Sequence, residues 1–453
     1  MTEQASPDGL AEQLRAARQW SGLTQEQLAG LSTVSVRAIR DLEQGRVLHP
    51  RRATLRLLAG AMHLSDARRA ALELAVEGAE AGTVMRETYG AELAPPPRPL
   101  RRLIGRAEEL RALTALLATE HERLFSVVGL AGVGKTRLAQ EAALALHSRD
   151  RTPVVWVDMN EDAPPAALRS PRSTLGGWAR SVARGGPGLE ELSSVIGGRV
   201  TLLVLDGHDG ASRLAAPLLE LLHACDRLKV LITTREPHRT PGSRLLPLGP
   251  LPVPAPAGAE AAGGSLPGDS LTAGQPAVEL MLSHVSHMRP DLLPSDSLVR
   301  TAAEISRALD GVPRAMEAAA SWLLLRSPAE LLKTARTVPL DVVDDVTASG
   351  TEAGDGFAAQ LSAAVAALDD GPAALLTGLS VLADGWSADE AAAELSASPA
   401  AVVRDVHALM LRGLVRRLPG GEDGTPRFGV LHLVRRPAAE RTALLVRSPT
   451  LVS

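Results

Sequence analysis

Eight consecutive residues, Gly129-Leu-Ala-Gly-Val-Gly-Lys-Thr136, carry the densest chemistry in the chain. They follow an apolar run of strand length, Leu124 to Val128, and precede a helical pattern from Arg137 to His147. In that setting G-x-x-x-x-G-K-T describes a phosphate-binding loop. The glycines let successive backbone N–H groups turn toward phosphate oxygens, and the helix start adds partial positive charge. Lys135 would reach the β- and γ-phosphates, and the Thr136 hydroxyl would bind Mg²⁺. The chain has 40 glycines but only Lys135, Lys229 and Lys333 as lysines. A chance match is therefore expected in roughly a few such chains per thousand. The candidate nucleotide set is Gly129, Gly132, Val133, Gly134, Lys135, Thr136 and Arg137.

Two later segments fit the same chemistry. Val200 to Asp206 is an apolar strand ending in an acid, where Asp206 would order the Mg²⁺ shell beside Thr136. Lys229 to Arg235 is a second buried strand ending in a guanidinium. Arg235 either senses a γ-phosphate or caps the next element.

These groups need a parallel α/β scaffold, and the alternation of strand and helix through Val154–Met159, Val200–Asp206 and Lys229–Arg235 supplies one. Helical patterning across 163–196 resists placement because it is rich in Gly and Pro. The segment 245–254 reads as a last edge strand, its prolines disfavouring a central place. Beyond it, helices over 280–309 restart at Pro313 after Asp310-Gly-Val. Three or four more helices over 356–411 then lead to two short strands, 413–418 and 427–431. Helices followed by a hairpin describe a winged helix. His284 and His287 share a helix face without a third ligand nearby, which argues against a metal site.

The expected fold class is multidomain. It comprises an all-α domain (1–88), a Pro-rich linker (89–99), a P-loop NTPase domain with a parallel sheet (100–255), a loop and helical lid (256–345), a winged-helix domain (346–440) and a tail (441–453). Composition agrees with folded domains: 45% apolar, 22% charged and only 2% aromatic, so Leu, Val and Ala must build the cores. The net charge of −4 selects no partner class. The single cysteine, Cys225, excludes an internal disulfide and reads as a core thiol. Neither a signal peptide nor a membrane span is expected, which makes the expected location cytoplasmic.

In the first domain, Leu10, Leu14, Ala17 and Trp20 have helical spacing. Two short helices follow, one capped by Thr24 and the next running from Ser35 to Gly45, with core positions at Leu28, Ala29, Val34, Ile39 and Leu42. That pattern is a helix-turn-helix, whose second helix enters the major groove of DNA. Two further helices, near 53–62 and 66–78, would close the bundle. Between residues 35 and 56 six arginines face two acids, the electrostatic footprint of phosphate contact. An Arg-rich bundle that docks protein is the alternative.

About 70 residues here resemble the phage-repressor-like (XRE) DNA-binding family, through Thr24-Gln25-Glu26, Leu28-Ala29, Val34-Ser35, Ile39 and Leu42-Glu43-x-Gly45. The resemblance implies that Gln25 holds a backbone phosphate and that Ser35, Val36, Arg37 and Arg40 present the reading surface. Arg46, Arg51 and Arg52 would grip phosphate. Thr33 stands where the family usually has Gly, so a left-handed residue there would be strained.

Residues 100–440 resemble the NB-ARC-type signal-transduction (STAND) NTPases, through Ile104-Gly105-Arg106, Gly129–Thr136, Leu205-Asp206 and Thr233-Thr234-Arg235. The likeness implies ATP/ADP with Mg²⁺ as cofactors. It places Gly105 and Arg106 beside adenine and ribose, Pro313 on the adenine and His432 at the β-phosphate of ADP. The chain departs from the family at Asp206-Gly-His-Asp-Gly210, where many bacterial relatives read Asp-Asn-Cys-Glu-His, and again at Arg314 and Leu433. Gly207 offers no second carboxylate or amide, and Asp209, the second catalytic carboxylate that the resemblance implies, is shorter than the usual Glu. Slow hydrolysis is therefore expected, with a weakened latch. No repeat array of the kind relatives carry as ligand sensor is visible. The resulting expectation is a regulator of double-stranded DNA that self-associates in its ATP state, with a signal protein or ligand as an unspecified input. A turnover ATPase acting on a DNA-bound partner, or a scaffold with a degenerate site, are the alternatives.

Overall fold

The computed structural model describes residues 8–44, 46–47, 50, 52–62, 64, 96–160, 171–209, 214–238, 240–254, 275–292, 295–344, 356–382, 384–418 and 424–447. They fall into two compact units, one drawn from 1–94, 162–199 and 215–227, the other from 95–161, 200–214 and 228–453.

The first unit opens with α1 (Asp8–Trp20), α2 (Gln25–Ser32), α3 (Val36–Glu43) and α4 (Arg52–Ala61). Leu14, Leu28, Ile39, Leu42, Leu58 and Met62 form their common core. The sequence reading of α1 and of the Thr24 cap agrees: the Thr24 hydroxyl accepts from Gln27 N–H while the Gln27 side chain returns to Thr24 N–H. Thr33 does take the left-handed conformation, at φ 59°. The fifth helix expected near 66–78 lies outside the described residues, as do most of the Pro-rich linker and the loop at 255–274. The segment that resisted placement yields α7 (Pro171–Ala183) and α8 (Leu189–Ile196). With α9 (Ala216–Ala224) they also belong to this unit. Cys225 is buried there.

The second unit begins with α5 (Ala107–Ala118) and a five-stranded sheet: β1 (Leu124–Val128), β2 (Val154–Asp158), β3 (Thr201–Asp206), β4 (Leu228–Thr234) and β5 (Arg244–Pro247), in the order β2-β3-β4-β1-β5. Every pairing is parallel. β1 and β3 are buried throughout, as continuous apolar runs in a parallel sheet require. The helix α6 (Lys135–Asp150) shares their core through Leu138, Ala142 and Leu146. β5 is the edge strand but ends at Pro247, shorter than the expected 245–254: Pro250, Pro252 and Pro254 have no N–H to extend a ladder.

Next come α10 (Pro276–Met288), α11 (Asp296–Ala308), α12 (Pro313–Ser321) and α13 (Pro328–Thr337). A further set is α14 (Phe357–Ala366), α15 (Asp370–Leu379), α16 (Ala388–Glu394) and α17 (Pro399–Leu411), then the antiparallel hairpin β6 (Val415–Leu418) and β7 (Arg427–Val430). One apolar core runs through all of these and takes in Leu130 and Ala131 of the phosphate loop. On the C-terminal side His432 opens α18 (His432–Arg447), a helix not expected from the sequence, which takes in part of the expected tail. Pro437 argues against a helix in sequence, at about 3 kcal/mol. The full burial of Leu433, Val434 and Ala438 offsets it. No described helix is long and apolar enough to cross a membrane.

Candidate nucleotide site and nucleic-acid face

The loop between β1 and α6 is shaped by its glycines. Gly132 and Gly134 have φ of 70° and 104°, a region that only glycine enters freely. A side chain on Gly129 would meet the Leu248 carbonyl at 2.4 Å. Lys135, the first residue of α6, points back into the loop and donates to the carbonyls of Gly129 and Leu130, 2.9 Å each. Desolvation by burial lowers its pKa to about 8.

At the carboxyl end of β3, Asp206 Oδ1 accepts from Thr136 Oγ1 at 2.8 Å and Thr233 Oγ1 at 2.5 Å. Thr233 reaches it from the adjacent β4. Burial raises the Asp206 pKa despite both hydroxyl donors. A hydroxyl and a carboxylate in contact form the hard-oxygen donor pair that Mg²⁺ takes together with phosphates and water, so these residues fit that ion.

The remaining predicted residues fall into distinct places. Arg235 is held by Asp209: its N–H donates to Oδ1 at 2.6 Å and its Nε to Oδ2 at 2.7 Å. This pair, with Leu130, Ala131, Glu236 and Arg412, lines a cavity of about 370 Å³ beside the phosphate loop. Arg137 pairs with Glu141 on its own helix at 3.1 Å. Arg106 is buried, and its guanidinium donates to the carbonyls of Val133 (3.1 Å) and Gly249 (2.6 Å) and to Glu109 (2.8 Å). It thus fastens the phosphate loop to the segment leaving β5. Gly105, at φ 67°, lies against Pro276, where a Cβ would come within 2.1 Å. The departure at Gly207 has a local cause: φ is 77° and a Cβ would sit 2.2 Å from Asn160 Nδ2.

Pro313 is the first residue of α12, and the N–H of Arg314 donates to Gly132 O at 3.2 Å. The Arg314 guanidinium lies 5.6 Å from the centre of the Phe357 ring. Gly413, just before β6, abuts Leu130 N, 2.9 Å from where its Cβ would be. Sequence reasoning missed the closing contacts of Leu248, Phe357 and Gly413; only the glycine types hinted at close backbone approach. His432 lies 3.9 Å from Asp384 and lines a separate cavity that includes no phosphate-loop residue. The next N–H, of Leu433, donates to buried Asp310 at 3.0 Å. His284 is buried 3.4 Å from Arg101, and among the described residues no His/Cys/Asp/Glu group could hold a metal ion by itself.

On α3, Ile39, Leu42 and Glu43 turn inward while Arg37 and Arg40 are exposed three residues apart, hence on one face. Val36 is half-buried, and Ser35 caps the helix by accepting from Ala38 N–H at 3.2 Å. Arg37 and Arg46 both lie near Asp41, at 3.9 and 3.5 Å. Glu43, 2% exposed, receives Arg18 at 2.6 and 3.0 Å and Gln25 Nε2 at 2.8 Å. Burial alone would raise the Glu43 pKa, but the Arg18 and Gln25 hydrogen bonds outweigh it and hold it low. The Gln25 amide, expected on a DNA phosphate, is thus turned to Glu43. Arg51 lies outside the described residues, as does the Arg52 side chain.

Comparison with known proteins bears on part of the chain. A Mycobacterium tuberculosis protein provisionally named an HTH-type transcriptional regulator (Rv0890c) is 31% identical over 220 residues, 48% of this chain and 22% of that protein. An uncharacterized protein of the same organism (Rv0894) is 29% identical over 240 residues, 52% of this chain and 54% of its own length. The chain thus spans about a fifth and about half of these relatives. A solved signal-transduction ATPase (STAND) with a tetratricopeptide repeat sensor, from Pyrococcus horikoshii, aligns over 80% of this chain and 47% of its own. Identity is 15% and the TM-score 0.28, too low to bear on the site. The family model described as a helix-turn-helix domain matches residues 10–72, and these residues are such a domain.

Proposed function

We propose that this chain is a DNA-binding transcriptional regulator of the STAND type, in which an adenine nucleotide at the phosphate loop sets the conformation. The observation that carries the reading is the hydrogen bond from Arg314 N–H to Gly132 O. It lets the lid respond directly to what fills the loop, in a chain whose exposed Arg37 and Arg40 stand on a helix-turn-helix reading face.

In this reading ADP keeps the lid and the hairpin on the loop. ATP, with its γ-phosphate drawing on Lys135 and Arg235 and with Mg²⁺ on Thr136 and Asp206, loosens them and lets protomers associate. Two reading helices then meet half-sites about one helical turn apart. Reversing a 1:99 equilibrium needs about 5.5 kcal/mol of differential binding, a size that several charge-assisted contacts to one phosphate can reach. Asp209 accepts from both the main-chain N–H and the Nε of Arg235, which disfavours it as the group that activates water. Hydrolysis is accordingly slow, and the nucleotide acts as a switch.

Sedimentation velocity with ADP and with ATP, each with and without fragmented genomic DNA, tests the proposal. The expected result is a larger species with ATP and tighter DNA binding by that species. Equal sedimentation in both nucleotides, or DNA-stimulated turnover well above about one per minute, would overturn it.

A further inference from the structure

A second cavity, of about 610 Å³, opens between α11, α13 and α18, away from every phosphate-loop residue. Arg307, Arg336, Arg435, Arg436 and His432 line it against a single wall carboxylate, Glu304. Its other wall is apolar, formed by Ala308, Ala335 and the Val338–Leu340 turn. We infer that this cavity binds a phosphorylated small molecule of about nucleotide size, independently of the phosphate loop.

The volume falls within the range of small-ligand pockets, about 300–1,000 Å³. Four guanidiniums bring five N–H donors apiece in planar forks that match phosphate oxygens. Arg307 and Arg336 share Glu304, Arg436 meets Glu440 at 2.8 Å and Asp341 at 3.8 Å, and Arg435 meets Asp384 at 2.7 Å and donates to the carbonyls of Ser380 (3.2 Å) and Leu382 (3.4 Å). Arg435 Nε is buried without a hydrogen-bond partner among the described residues. Arg336 and Arg436 are 58% and 57% exposed, so their ion pairs are the weak, solvent-screened kind that a doubly charged anion displaces at small cost. The apolar wall suits the ring or chain that carries the phosphate. The binding claim does not depend on the nucleotide switch.

Inorganic pyrophosphate is the probe, measured by equilibrium dialysis on the full chain carrying Lys135→Ala, which disables the phosphate loop. Saturable one-site binding is expected, weakened at least fivefold by adding Arg336→Gln and Arg436→Gln. No saturable binding in Lys135→Ala, or a loss smaller than fivefold, would overturn the inference. Should the multiple variant fail to fold, phenylglyoxal labelling of the unsubstituted chain decides. Pyrophosphate should slow modification of Arg336 and Arg436 relative to Arg404, and equal slowing at all three would count against the site.

Discussion

The carbonyl of Gly132 in the phosphate loop accepts a hydrogen bond from the main-chain N–H of Arg314 at the start of α12. The same glycine has φ 70° and no room for a side chain, since a Cβ would stand 2.6 Å from Arg314 Cβ and 3.0 Å from the Phe357 ring. The loop and the start of α12 are therefore in backbone contact. Gly132→Ala should force the two apart, because a left-handed alanine costs about 1–2 kcal/mol before any clash is counted. We expect faster proteolysis around residues 310–316 in the ADP-loaded protein and at least tenfold weaker ADP retention. Wild-type proteolysis and retention would show that this contact does not close the site.

Lys135 gives a pH-dependent prediction. Its pKa is about 8 in the folded chain, below the ordinary lysine value of about 10.4. Between those values the unfolded state binds more protons than the folded one, so stability rises with pH across that window. Lys135→Met removes the buried charge and should melt higher than the ligand-free wild type at pH 7. That advantage should shrink from about pH 8 upward and level off near the unfolded lysine pKa. Parallel melting curves from pH 7 to 10 would refute it. The same variant should lose ATP and ADP binding at least a hundredfold.

Much of this arrangement could be read from residue types. The apolar runs ending in Gly129, Asp206 and Arg235 gave the strands and the order of the chemistry, because a parallel sheet buried on both faces leaves little freedom of pattern. Other features could not be read. That Arg106 clamps Val133 and Gly249 rather than standing open depends on a contact 143 residues away in sequence. α18 was hidden by Pro437, since local propensity argues against a helix that burial of Leu433, Val434 and Ala438 nevertheless holds. Gln25 offers a similar lesson: the family resemblance implies a phosphate ligand, yet its amide is turned to the carboxylate of Glu43.

Glu43 anchors the reading helix through a nearly buried pair with Arg18, which is 13% exposed. Removing one partner of such a pair strands the other charge and typically costs about 3–5 kcal/mol. Glu43→Gln should therefore reduce hydrogen-exchange protection across residues 25–43 of the full chain while leaving residues 124–150 unchanged. The Glu43 pKa is lowered in the folded state, so its contribution is fully present above the ordinary glutamate value and is lost as pH falls through the lowered one. In wild type the protection of residues 25–43 should hold at pH 5 and fall away below about pH 4, whereas in Glu43→Gln this acid-dependent loss should be absent.

The exposed arginines of the first unit should separate into two roles. Arg40 projects from α3 with Arg37, as a side chain reading base edges must, whereas Arg46 follows the helix beyond its last turn and sits 3.5 Å from Asp41. A base-reading arginine is worth about 1–3 kcal/mol of discrimination at one position, so Arg40→Ala should flatten preference at one base pair in a binding-site selection. Arg46→Ala should instead weaken all duplexes alike and reduce the slope of log affinity against log salt by about 0.9, the loss of one phosphate contact. Fluorescence anisotropy on selected and scrambled duplexes between 50 and 200 mM salt measures both quantities. If the two variants lose affinity in the same sequence- and salt-dependent way, α3 does not read bases through Arg40.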